Sequence, residues 1–159
     1  MLFYFDISIK TDNLKKAKIH EKMVEWGGEL CSQDPPLYDY NGTLVFDEFP
    51  DNRYFKKYYG KYIGNDFDID KYRTFRLLGE HLSELEKLTN NDSSDLINHE
   101  LYKFLVDLSE IDDFAIFLIR DEEEIDERYK VNTREELIDT FCNCLKWDKP
   151  KGALITKLK

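Results

Sequence analysis

Residues 114–119 read Phe-Ala-Ile-Phe-Leu-Ile, wholly apolar, with Asp112-Asp113 before them and Arg120-Asp121 after them. A short apolar run closed by charges reads as a central strand buried on both faces. Upstream of it, Ile97, Leu101, Phe104, Leu105 and Leu108 fall at helical spacing. The polar run Asn90-Asn91-Asp92-Ser93-Ser94 interrupts the chain before this helix, and either serine can cap it. Downstream, Thr133 and Glu136 have the S/T-x-x-E spacing of a capping box. The helix they open carries Leu137, Phe141 and Leu145 on its buried side. Pro150 sets off a last strand, Gly152 to Leu158.

Further from this centre, Leu2 to Ile9 alternates: Phe3, Phe5, Ile7 and Ile9 share one face, and Tyr4, Asp6 and Ser8 the other. Period two predicts a half-buried strand. Thr11 or Asp12 can cap a helix with Leu14, Ile19, Met23 and Trp26, ended by Gly27-Gly28. Asp34-Pro35-Pro36 is a loop, and Leu37–Tyr40 with Thr43–Phe46 reads as a hairpin around Asn41-Gly42. Asp51 to Tyr62 predicts a helix whose Tyr54, Tyr58 and Tyr62 are four apart. Asp70 to Leu88 predicts a longer one with Phe75, Leu78, Leu82 and Leu85 in a stripe, capped through Asp70. Helices and strands in this mixed order predict one α+β domain over residues 1–159, with helices packed on a small, mainly antiparallel sheet.

The 159 residues suit a single domain, and 42% apolar with 14% aromatic residues is enough to fold. The formal charge of −10 repels phosphate backbones and anionic membranes. It attracts a basic protein, and it also serves solubility. Nowhere do about 18 apolar residues run together, so no membrane span is expected. No secretory leader is evident, and the three cysteines, Cys31, Cys142 and Cys144, are odd in number. A reducing, cytoplasmic setting is expected.

Chemical motifs are sparse. Neither G-x-G-x-x-G, a P-loop nor G-x-S-x-G occurs. His20, His81 and His99 fall in predicted helices. His81 has Glu84 three residues on and His99 has Asp95 four residues back, without a metal-binding pattern. Cys142-x-Cys144 has neither the redox spacing nor a second pair for zinc, and is read as packing. Asp66, Asp68 and Asp70 begin like a calcium loop, but Lys71 and Leu77 stand where glycine and glutamate are needed. No metal, cofactor or catalytic residue is therefore expected.

The segment Asp121 to Glu127 holds six acids in seven residues. As a loop at a sheet end it would offer Asp121, Glu122, Glu123, Glu124, Asp126 and Glu127 to a cationic partner. Tyr58 and Tyr62 are candidate aromatic contacts, because tyrosine joins an apolar ring to a polar tip.

The acidic run, the N-terminal strand Leu2–Ile9 and the ending Trp147-Asp148-Lys149-Pro150-Lys151-Gly152 resemble bacterial immunity proteins of the polymorphic-toxin and contact-dependent-inhibition type. The resemblance implies a cytosolic, non-enzymatic protein that binds and blocks a basic toxin domain, often a nuclease. Two other classes remain in view: a small hydrolase using Asp47, Glu48 and a histidine, and a regulatory or scaffold subunit.

Overall fold

The run Phe114–Ile119 is a strand with all six residues buried. The computed structural model describes residues 4–10, 29–33, 36–39, 45–48, 68–77, 79–119, 125–148 and 152–159. Its strands are β1 (Tyr4–Lys10), β2 (Glu29–Gln33), β3 (Pro36–Asp39), β4 (Val45–Glu48), β5 (Tyr72–Leu77), β6 (Phe114–Ile119), β7 (Ile125–Lys130) and β8 (Gly152–Lys157). Its helices are α1 (Gly79–Asn90), α2 (Glu100–Leu108) and α3 (Arg134–Cys144). The strands make one sheet in the order β2-β3-β4-β5-β1-β6-β8-β7. Every described pairing is antiparallel except β7 with β8. Those two need a crossover to run parallel, and α3 supplies it. The α+β class and the mainly antiparallel sheet are as the sequence predicts.

β1 comes first in sequence and sits mid-sheet: Ile7 lies opposite Phe75 of β5 and Ile116 of β6. Ile7, Ile9, Phe75, Leu77, Phe114, Ile116, Leu118, Ala153 and Ile155 share one core with the buried side chains of α1, α2 and α3. The other face of β1 is also closed to solvent, since Asp6 and Ser8 are both 0% exposed. The half-buried strand read from its alternation is therefore corrected to one buried on both sides. Its polar positions are satisfied across the sheet. Arg76 donates from Nε to Asp6 Oδ1 at 2.7 Å and from Nη2 to Oδ2 at 2.9 Å, and the Ser8 and Thr74 hydroxyls lie 2.8 Å apart. A buried charge needs such pairing, because desolvating it alone costs several kcal/mol, on the order of 3–5 when one partner is removed.

This polar pairing also corrects the long helix read over Asp70–Leu88. Tyr72–Leu77 is a strand, because Thr74 and Arg76 alternate with Phe75 and Leu77 to meet Ser8 and Asp6 on one face. Leu82 and Leu85 belong to the helix stripe and Phe75 is on β5, while Leu78 lies outside the described residues. Asp70 caps no helix; its backbone N–H donates to the Asp68 carboxylate, in a 3-10 turn (Ile69–Lys71) that leads into β5.

α1 ends in a Schellman motif: Ser93 N–H donates to Leu88 O, Asp92 N–H to Thr89 O, and Asp92 takes φ 49°. Ser93 then caps a 3-10 turn, Ser94–Asn98, and His99 caps α2 by accepting from Leu101 N–H at 3.1 Å. The serine cap expected for α2 thus belongs to the preceding turn. That turn takes Ile97 out of the buried stripe and leaves it 59% exposed. Leu101, Phe104, Leu105 and Leu108 are buried as their spacing predicts.

The Thr133 cap of α3 forms, and the Glu136 carboxylate reaches back one residue beyond the cap. Glu136 N–H donates to Thr133 Oγ1 at 3.1 Å, and the Glu136 carboxylate accepts from Asn132 N–H at 3.3 Å. Leu137, Phe141 and Leu145 are buried. The hairpin pairing of β3 with β4 is present, and β2, β5 and β7 enlarge the sheet beyond the strands read from sequence. The helices predicted between residues 11 and 28 and over Asp51–Tyr62 lie outside the described residues.

Candidate binding surface

The acidic run bridges the buried centre of the sheet and its edge, since β6 stops at Ile119 and β7 starts at Ile125. The reading of the whole run as a loop is corrected for its end: Asp126 and Glu127 are in β7. The reason is partner geometry, because β7 lies alongside β8, with Arg128 opposite Leu154 and Tyr129 opposite Ile155. The register shifts between Ile125 and Glu127, a bulge that holds Asp126, and Asp126 is exposed. Glu127 is half-buried and accepts a hydrogen bond from the Tyr129 hydroxyl. That bond, reinforced by burial, pushes the Tyr129 phenol up to about 12. Asp126 is thus presented to solvent, while Glu127 is engaged within the fold. Asp121, Glu122, Glu123 and Glu124 lie outside the described residues, as do Tyr58 and Tyr62.

Among the histidines, His99 is built into the helix layer. Its Nδ1 accepts the α2 cap bond, and its Nε2 is 3.1 Å from Glu84 Oε2 on α1. Glu84 therefore pairs with His99, which does not follow the His99–Asp95 helix pairing read from sequence; the His81–Glu84 pairing falls on a side chain outside the described residues. With both ring nitrogens engaged, His99 serves to hold α1 to α2. Asp47 of β4 lies opposite Arg76 in the sheet register, and Glu48 opposite Phe75. The side chains of His20 and His81 lie outside the described residues.

A groove of about 580 Å³ opens where α1 and α3 end. Thr89, Asp92, Ser93 and Leu96 line one wall, and Asp139, Cys142, Asn143 and Lys146 the other. Lys146 Nζ is 3.8 Å from Asp92 Oδ1. Burial pushes the Cys142 thiol up to about 11, against a lowering by its hydrogen bond with Thr89. A neutral thiol packs as a small apolar group and is a poor nucleophile. Cys144 is buried, so the pair packs as its spacing predicts.

Trp147 follows Lys146 of the groove's wall. Its backbone N–H donates to Asn90 Oδ1 at 2.9 Å and its indole N–H to Glu86 Oε1 at 2.9 Å. Asn90 is fixed in turn by donating to Glu86 O and Leu145 O. Glu86 is 7% exposed, and its Oε2 is buried without a hydrogen-bond partner among the described residues. Trp147 keeps 55% of its surface exposed, and with Ile97 it forms the pair of large apolar side chains exposed among the described residues.

Sequence reasoning did not name Glu86, placed Ile97 in the buried stripe of α2, and named Trp147 only as part of the chain's ending, with no role for its ring. The available signal was Trp147 lying off the stripe Leu137, Phe141, Leu145, where a large ring has no helix-layer core to enter. That Glu86 would meet it sixty-one positions away is a tertiary fact.

The fold and this surface describe an α+β protein whose helix ends form a polar groove, with an anchored aromatic next in sequence to its lining. Comparison of the chain with protein-family models, curated proteins and solved structures gives no match. No described helix is long and apolar enough to cross a membrane.

Proposed function

We propose that this chain is an immunity-type inhibitor that binds a basic toxin domain and covers its active site with carboxylates. The observation that carries the reading is the run Asp121–Glu127, six acids in seven residues, in a chain with net charge −10. Concentrated carboxylates repel one another and cost folding energy, a cost that a cationic partner offsets on binding. They also imitate the phosphates that a nuclease site is built to hold, and they steer association. Support comes from the setting of the run, between a central and an edge strand, and from the exposure of Asp126 on the bulge.

The test is charge reversal, E122K/E123K/E124K, with binding measured by calorimetry against a toxin domain encoded beside this chain. Affinity should fall, and the dependence of log Kd on log salt should flatten. Unchanged affinity at low salt would remove the acidic run from the mechanism.

A further inference from the structure

We propose that the groove between the ends of α1 and α3 docks a basic segment of the partner protein, which seats an apolar side chain against the Trp147 ring. The inference rests on the inhibitor reading and adds a second contact region, apart from the acidic run, that selects the partner by shape.

Shape is the first argument. The groove is walled by two elements, and the two large apolar side chains exposed among the described residues are sequence neighbours of its lining. Ile97 follows Leu96 of one wall, and Trp147 follows Lys146 of the other. A single exposed apolar residue needs no explanation; here one follows a lining residue of each wall.

Rigidity is the second. An indole on an exposed chain end could give its N–H to water. Here it is donated inward to Glu86 while the main chain is pinned by Asn90, and the ring is left open. An aromatic already held in one rotamer loses little entropy on binding, which is the property of an interface hot spot.

Charge decides the occupant. Asp92 and Asp139 line the groove and Asp148 adjoins Trp147, against Lys146, which already faces Asp92. Beneath the indole, Glu86 keeps a buried carboxylate oxygen without a hydrogen-bond partner among the described residues. An acidic segment is repelled here, and a neutral one leaves Asp139 desolvated without compensation. A lysine- or arginine-bearing segment with one apolar residue satisfies both the acids and the ring. Leu96 on one wall and the neutral Cys142 thiol on the other give it apolar lining.

The probe is a synthetic amphipathic helix of lysine and leucine, beside a lysine–serine peptide and a glutamate–leucine peptide. In a Trp26→Phe background Trp147 is the remaining tryptophan and reports directly. The lysine–leucine peptide should shift its emission to the blue and bind roughly ten-fold tighter than either control. Trp147→Ala and Asp139→Lys should each weaken calorimetric binding by a similar factor. Asp139 is an exposed helix residue, so its variant keeps the fold, and circular dichroism checks both. Absence of the blue shift, or unchanged binding in the Asp139→Lys variant, overturns the groove. If E122K/E123K/E124K loses peptide binding while both groove variants keep it, the groove fails and the inhibitor reading survives. If the groove variants lose binding and the triple variant does not, the groove stands as a contact separate from the acidic run, which is judged by its own toxin affinity and salt slope.

Discussion

At the scale of single residues, the Glu86–Trp147 contact concentrates the most consequence in the fewest atoms. Trp147→Phe removes the indole donor and leaves both oxygens of a buried carboxylate without that bond. Unfolding in denaturant should show a loss of about 1–3 kcal/mol. Glu86→Met should cost far less, because an apolar side chain of similar shape needs no partner there. Combining the two should cost less than their sum, which measures the coupling directly. Cys142 gives a second prediction. Its thiol is pushed from 9.0 to about 11, so the folded state favours the protonated form. Stability tied to this group is whole below its unfolded value and is lost as pH rises through the folded one. Tyr72, raised to about 12 mainly by burial, acts in the same sense over pH 10–12. Titration of the unfolding free energy from pH 8 to 11.5 should therefore slope downward, and Cys142→Ala should flatten its lower part. At pH 8 alkylation of Cys142 should run roughly a hundred-fold slower than that of a free thiol, because the thiolate is that much scarcer. Peptide mapping after iodoacetamide reads this.

At the scale of elements, two helix ends make opposite predictions. Thr133→Ala removes the cap of α3 and should destabilise by about 1 kcal/mol. Asp92→Gly should stabilise by up to about 1 kcal/mol, because Asp92 holds the left-handed position that closes α1. The same change removes an acid from the groove, so the inference above requires weaker peptide binding from a more stable protein. These ends also show how far the sequence could be read. α3 was legible because its cap and stripe are local, and β6 because an apolar run between charges admits few alternatives. β5 was not, because Phe75, Leu82 and Leu85 fit a helical stripe as well as they fit a strand joined to a helix. What decides between them is Asp6 and Ser8, about seventy residues away, which give Arg76 and Thr74 their partners. β7 was hidden for the same reason: its acids read as solvated until β8 is set beside it. The groove was illegible altogether, since its walls come from separate helices and Trp147 offers only a weak hint alone.

At the scale of the molecule, the sheet order places β1 between β5 and β6. Removing residues 1–10 would strip both neighbours of their partner and expose Ile116 and Phe117 together. The truncated chain should lose cooperative thermal unfolding and bind a hydrophobic dye, whereas a peptide of residues 1–10 added back should restore part of the fold. Retention of a sharp transition by the shortened protein would contradict the central position of this strand. The same placement sets a schedule for biosynthesis. A ribosome adding roughly 5–20 residues per second extrudes Tyr4–Lys10 several seconds before Phe114–Ile119 exists. Once Tyr72–Leu77 has emerged the segment can pair on one side only, and its other edge stays open until β6 exists, so output from a chaperone-free translation system should fall well below that of a supplemented one.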